Sequence, residues 1–449
     1  MTGDIMDDNS VEAEAAGETK TTVGNYFVSN YPPFSFWETE RVSEAAAAFD
    51  RAPRPGTDLG LYLHIPFCRK RCHFCYFRVY TDKKNDEIQA YLDAALKELA
   101  THAKKPAIAG RNANFVYFGG GTPSFLSSEQ LISLTDGMKF LVPWEGVEEV
   151  TFECEPGTLT DRKIQTIRDI GVTRLSLGVE NFDDHILQSN GRAHESKQVF
   201  RAYERARAAG FPQINIDLIA GMMNETEENW KACIAKTIEL APDSVTIYQM
   251  EIPYNTTIYK EMKAEGKITA PVADWKTKRR WVTYGFSELE KAGYTVKSAY
   301  TAVKDPKKTK FIYRDKLWAG ADLLALGVSS FGHMNGTHYQ NEHDFAPYLA
   351  ALTADRQPLY RALTPNDDER LIREFILQLK LGKVDASYFT KKFGVDPLVR
   401  FKPQLDDLIK DGYLRIDGRM LTFTRDALLQ IDRLLHAFFL PKHANARYA

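Results

Sequence analysis

GLYLHIPFCRKRCHFCYF, residues 60–77, decides the fold: a short β-rich run leads straight into three cysteines within eight residues. Gly60 to Ile65 has the composition and length of one strand. Cys68, Cys72 and Cys75 follow with three and then two residues between them, so a loop leaving a sheet edge can wrap one small inorganic object. Five cysteines in 449 residues do not make a disulfide framework. Zinc wants four protein ligands, and no second CxxC pair occurs, although His64 or His73 supplies a fourth ligand in that competing reading. A 4Fe-4S cluster on three thiolates instead leaves one iron open, which is a place for chemistry.

Working outward, the same strand signal returns at Asn114 to Phe118, Glu149 to Cys154, Arg174 to Gly178, Gln213 to Ile219 and Ser244 to Gln249. Between these runs Asp86 to Ala103, Thr160 to Ile170, Glu195 to Ala209 and Thr226 to Leu240 carry helical periodicity, with Gly171 and Gly210 as C-terminal caps. Six successive right-handed βα units predict an α/β fold, a partial (β/α)6 barrel of the TIM type, whose active site opens at the strands' C-terminal ends. Residues 1–24 are acidic and small, a disordered tail; 25–57 form an N-terminal arm; 58–350 form the barrel and its extension. Residues 351–449 read as a helical, winged-helix-like domain with a hairpin at Asp417-Gly418.

The functional candidates fall at strand ends. After the second strand come Gly119, Gly120, Gly121 and Thr122, glycines that let backbone donors approach a ligand; no GK[ST] follows to make a phosphate loop. The third strand ends in Glu153, the fourth in Glu180 with Arg192 just beyond, and the fifth carries Asp217. Together these offer carboxylates for an ammonium and for hydroxyls, and a cation for a carboxylate.

The cysteine spacing with Phe74 before the last cysteine resembles the signature of radical S-adenosylmethionine enzymes. In order, LYLHIPFCxxxCxFC, YFGGGTPS, FECEPGTLT, RLSLGVENF, NGRAH, NIDLIAGM, PDSVTIYQ and LLALGVSSFG resemble the oxygen-independent coproporphyrinogen III oxidase family, which includes related heme chaperones. The resemblance implies that Cys68, Cys72 and Cys75 hold the cluster. Tyr62, Phe74, Gly119, Gly120, Thr122, Glu153, Arg192 and Asp217 then surround S-adenosylmethionine, with Glu180 nearby and Met250 beside a second one where two bind. It assigns no catalytic side chain beyond these. The implied reaction is oxidative decarboxylation in porphyrin and heme biosynthesis, on a tetrapyrrole, with flavodoxin or ferredoxin as reducing partner. The alternatives within the family are a heme chaperone and a methyltransferase or cyclopropanase. Three departures stand out: Phe77 where the oxidases carry another cysteine, Glu180 where they usually show glutamine, and Tyr313 to Trp318 with no histidine where the chaperones carry a His-Asn motif.

Composition excludes other classes. The formal charge of −2 argues against a globally basic nucleic-acid binder, and no apolar run is long enough to span a bilayer. The first residues lack the basic and apolar stretches of a signal peptide, so the expected location is the cytoplasm. Two basic runs, Trp275 to Trp281 and Lys304 to Lys310, lie beyond the sixth strand where substrate should enter and read first as a solvated helix face and an exposed loop, with substrate contact the alternative; Cys154 and Cys233 are read as buried small hydrophobes.

Overall fold

The computed structural model describes residues 25–266 and 271–444, so the expected tail at 1–24 lies outside the described residues. Strands β1 (Leu59–Ile65), β2 (Phe115–Gly120), β3 (Glu149–Cys154), β4 (Arg174–Glu180), β5 (Gln213–Ala220) and β6 (Ser244–Gln249) run parallel and in chain order. Helices Asn85–Ala103, Asp161–Asp169, Ser196–Ala208 and Glu227–Leu240 connect them, within a residue of the sequence expectation. Gly171 and Gly210 follow two of these helices at φ +96° and +72°, the left-handed backbone expected of caps.

The sheet is larger than six strands. β7 (Thr295–Val296) and β8 (Thr301–Val303) run antiparallel beyond β6, while β9 (Asp322–Leu326) pairs parallel to β1 as a seventh parallel strand. β10 (Phe331–Met334), β11 (Thr337–Asn341) and β12 (Leu359–Leu363) extend that edge antiparallel. The order β12-β11-β10-β9-β1-β2-β3-β4-β5-β6-β8-β7 ends in two strands that do not pair with each other, hence an open barrel. β12 carries this sheet past residue 350, where the sequence reading puts the start of the last domain. It does so because Tyr339, Phe345 and Ala362 are buried in the barrel's apolar cluster.

Alternation sorts the strand residues. Leu61, Leu63, Val116, Phe118, Val150, Phe152, Leu175, Leu177, Ile214 and Ile216 face outward into one apolar cluster beneath the helices. Cys154 and Cys233 join it, 3% and 1% exposed. The opposite face lines the lumen.

The last domain starts at Asp367–Leu379, where Asn366 and Glu369 form a reciprocal capping box. Leu371, Ile372, Phe375 and Ile376 pack with Phe389, Phe401, Leu405 and Leu421. β13 (Lys383–Asp385), β14 (Leu414–Asp417) and β15 (Met420–Phe423) form a separate sheet in the order β13-β15-β14, with the expected hairpin between Asp417 and Met420. The N-terminal arm threads between the two bodies. Val28 and Tyr31 are buried in the second cluster, and Val28 N donates to Asp432 Oδ1 at 2.8 Å. Lys380 and Asp432 form a buried ion pair of 2.6 Å nearby. The end of β6 also touches this domain, where Gln249 Nε2 donates to Leu429 O at 2.8 Å.

Candidate active site

Backbone hydrogen bonds shape the cysteine loop after β1. Cys68 N donates to Tyr80 O at 3.1 Å and Tyr80 N returns to Pro66 O at 2.7 Å, closing the loop's base over buried Phe67. His73 N donates to Asn190 O and Cys75 N to Cys72 O, at 3.0 and 3.1 Å. Among the described residues no three His, Cys, Asp or Glu side chains are drawn together closely enough to hold a single metal ion.

Two side chains aim donors at the sulfurs. Thr122 Oγ1 donates to Cys68 Sγ and Arg192 Nη1 to Cys72 Sγ, each at 3.3 Å. Burial pushes the Cys68 thiol up to about 11 and the Cys75 thiol up to about 12, so a metal must take the proton's place before either serves as a thiolate. The glycine-rich turn lies against this loop. A Cβ on Gly121 would fall 3.0 Å from Cys68 Sγ, and one on Gly120, at φ +113°, would fall 2.6 Å from the His64 ring.

The lumen face brings the carboxylates together. Glu153 accepts from Tyr117 OH at 2.6 Å and from Gly120 N at 3.2 Å, and burial, reinforced by Asp217, pushes it up to about 7. Asp217 accepts from Ser176 Oγ at 2.8 Å and Asn215 Nδ2 at 2.9 Å, and burial raises it. Glu180 holds a left-handed backbone at φ +65°, where the β4–β5 register shifts. That bulge turns its carboxylate to 3.8 Å from Arg192 Nη1. Burial pushes Glu180 up to about 7, with Arg192 opposing and Asp217 and Glu153 reinforcing. Arg192 Nη2 donates to Gly178 O, while its Nε is buried without a partner.

Among the expected residues, Thr122 and Arg192 touch the cysteine sulfurs, Gly121 abuts Cys68, Glu180 reaches the loop through Arg192, and Glu153 and Asp217 line the lumen. Tyr62 lies on the same face, its hydroxyl 3.1 Å from His64 Nδ1. Phe74 and Met250 stand apart from the charges, packed with Ile186, Ile219 and Met222. The basic run at Lys304 to Lys310 is not at this end. It continues β8, which runs antiparallel to β6 with Val303 beside Ser244, and so reaches the opposite rim. Lys316 pairs there with Asp58 and Glu148, both at 2.8 Å. The Trp275 to Trp281 run opens the helix Trp275–Lys291, whose Lys278 Nζ donates to Met250 O at 2.8 Å.

Sequence reasoning missed Tyr117, Ser176, Asn215 and Tyr248, and named His64 only as a zinc ligand. Their signal was available: each stands an even number of residues from an inward position of its own strand or beside one in register. Burial at the hydroxyl end, reinforced by Asp217, Glu153 and Glu180, raises the Tyr248 pKa.

Residues 62–236 match the Radical SAM superfamily and residues 366–429 match the HemN C-terminal domain. The stretch that resembles the Radical SAM superfamily spans most of the βα barrel. Its relatives include a Bacillus subtilis protein named heme chaperone HemW, 27% identical over 379 residues, covering 84% of this chain and 98% of the relative. A Helicobacter pylori protein named oxygen-independent coproporphyrinogen III oxidase is 28% identical over 397 residues, covering 85% of each. The solved structure of Escherichia coli coproporphyrinogen III oxidase (HemN) superposes with a TM-score of 0.79 at 23% identity, over 92% of this chain and 96% of that one, and shares the fold. A radical SAM protein implies a 4Fe-4S cluster and S-adenosylmethionine. The residues present fit that pair: three thiols in one loop, donors already aimed at two of them, and a buried guanidinium edge awaiting an anionic oxygen.

Proposed function

We propose that this chain is a radical SAM oxidoreductase of porphyrin and heme biosynthesis, acting as an oxygen-independent coproporphyrinogen III oxidase does. The observation that carries the proposal is the juxtaposition, at one end of the barrel, of the cysteine loop with Arg192, Glu180, Glu153 and Asp217. With the cluster in place, reductive cleavage of S-adenosylmethionine supplies a 5′-deoxyadenosyl radical able to take a hydrogen atom from a substrate propionate.

In this proposal Cys68, Cys72 and Cys75 are the thiolate ligands. Thr122 and Arg192 steady the sulfurs, and the free edge of Arg192 takes the methionine carboxylate. Glu153, with the backbone of Gly119 and Gly120, takes the methionine ammonium, whose charge offsets the crowding of carboxylates that raises Glu153. Asp217 and Glu180 accept from ribose hydroxyls. Tyr62, Phe74 and Met250 supply flat or apolar walls, Met250 at the edge where a second S-adenosylmethionine would lie. A cytoplasmic location, a tetrapyrrole substrate and a flavodoxin or ferredoxin donor belong to the same reading. Among the described residues no helix is long and apolar enough to cross a membrane.

The heme-chaperone reading has its own support in the similarity to the Bacillus subtilis relative. One anaerobic experiment separates the readings: reduce the reconstituted protein with S-adenosylmethionine and coproporphyrinogen III, and follow products by mass spectrometry beside Cys72→Ala. Porphyrinogen lighter by two carboxyl groups, absent in the variant, is the expected result. Untouched porphyrinogen with 5′-deoxyadenosine and S-adenosylhomocysteine selects methyl or methylene transfer. No cleavage, with stoichiometric heme binding, selects the chaperone.

A further inference from the structure

The opposite end of the barrel holds a second feature, which the radical chemistry does not use. Where β4, β5 and β6 begin, a cavity of about 230 Å³ is lined by Arg174, Gln213 and Ser244, the first residues of those strands. Lys297, Lys310 and Arg314 approach it from the segments that cross this rim.

Arg174 is 2% exposed, and its guanidinium carbon lies 4.1 Å from the centre of the Phe311 ring. Its Nε is buried with no partner, and among the described residues its side chain makes no hydrogen bond or ion pair. The neighbouring carboxylates are already committed. Glu149 accepts from Ile312 N, Tyr313 N and Thr151 Oγ1, Glu153 from Tyr117 and Gly120, and Asp217 from Ser176 and Asn215. All three feel the Arg174 charge, yet none brings an oxygen within ion-pair distance.

A guanidinium left in this state is expensive to bury, and such groups persist where a ligand supplies the missing charge. The lining is otherwise cationic. Lys297 and Lys310 are exposed at the rim, and Arg314 donates to Asp315, the one acidic side chain of the lining, at 2.7 and 2.9 Å. Phe311 packs against the Arg174 guanidinium, and among the described residues no side chain takes up its hydrogen-bonding edge. That edge matches the two oxygens of a planar carboxylate.

We propose that this cavity binds a small dicarboxylate, one carboxylate seated on Arg174 and the other held at the rim by Lys297 and Lys310. The site lies at the end of the strands opposite the cysteine loop, with the Arg174 charge felt by Glu153 and Asp217 between the two ends.

Thermal unfolding of the full-length holoenzyme tests it, with succinate as probe and sodium chloride matching ionic strength. Wild type is expected to gain Tm saturably with succinate, as a ligand specific to the folded state requires. Arg174→Met is expected to lose that response, with a Tm in the absence of succinate equal to or above wild type, because it removes an unpaired buried charge. The Lys297→Ala, Lys310→Ala double variant is expected to weaken succinate binding about tenfold and blunt its salt dependence. A purely structural Arg174 predicts the opposite: a lower basal Tm in Arg174→Met and no succinate response in wild type. Either result overturns the proposal, as does a response that survives Arg174→Met. A larger shift with inorganic phosphate than with succinate overturns the carboxylate assignment.

Discussion

The two faces of the six central strands are built from opposite materials. Outward, Leu63, Phe118, Phe152, Leu177 and Ile216 vanish into one apolar cluster under the helices. Inward, Tyr117, Glu153, Ser176, Asn215 and Asp217 form a hydrogen-bonded polar lining. The outer set is fully buried and the inner set is buried or half-buried, so what separates them most clearly is their partners. The outer side chains gain by leaving water, roughly 25 cal/mol per Å². The inner ones lose by it, which is why Glu153 and Glu180 are pushed up to about 7. Stability therefore belongs to one face and chemistry to the other, and the division can be tested by striking each in turn.

The largest effect should come from the loop that serves only the inner face. Stripping iron with a chelator is expected to abolish S-adenosylmethionine cleavage while far-UV circular dichroism stays unchanged and Tm falls by only a few degrees. A collapse of Tm would mean that the loop supports the shell as well. Phe152→Ala strikes the other face. Phe152 is fully buried with its ring 5.3 Å from that of Phe118, and its truncation should cost about 3–5 kcal/mol in denaturant unfolding. The surviving folded fraction should keep its specific activity.

This division also explains what was legible in the sequence. β1 to β6 were readable to within two residues because each is a short apolar run closed by a turn residue or a helix cap. The cysteines, Glu153, Glu180, Arg192 and Asp217 stood out as candidates because they interrupt or follow those runs as unlike residues. β9 was not, because Asp322–Leu326 is one more apolar run whose parallel place beside β1 depends on contacts across more than 250 residues. The basic run at Lys304 to Lys310 was put at the wrong rim for a similar reason. Charge marks a surface, but only the antiparallel turn into β8 shows which end of the barrel that surface faces.

Buried carboxylates sharpen the comparison at smaller magnitude. Glu98, on the shell, and Glu180, in the lumen, are both pushed up to about 7 by burial. Their folded-state values lie above the ordinary carboxylate range, so each contributes stability that is full below about pH 4.5 and lost as pH rises through about 7. Replacing either by glutamine should flatten the fall of Tm across that window. At pH 8 the two variants should part. Glu98 accepts from Gly327 N at 2.9 Å, Asn341 Nδ2 at 2.6 Å and Tyr348 OH at 2.6 Å, so an amide there strands a donor and lowers stability by about 1–3 kcal/mol. Glu180→Gln instead relieves repulsion among carboxylates and should raise Tm slightly, while S-adenosylmethionine cleavage falls. A loss of Tm in Glu180→Gln would place part of the stability inside the lumen.

The smallest effect belongs to a cation at the same rim as Arg174. Lys316 Nζ lies 2.8 Å from both Asp58 and Glu148, yet its side chain is 26% exposed. Water shares both carboxylates, so the pair of contacts is worth little despite its geometry, and Lys316→Ala should cost no more than about 1 kcal/mol, less at high salt. Arg174 has no such partners and is almost wholly excluded from water. If well-formed ion pairs were what held this end of the barrel together, Lys316→Ala would be the damaging variant and Arg174→Met the harmless one only by coincidence. A salt-independent loss of several degrees in Lys316→Ala would count for that view. A small, salt-sensitive loss would leave the rim held by its apolar outer face, as the rest of the barrel is.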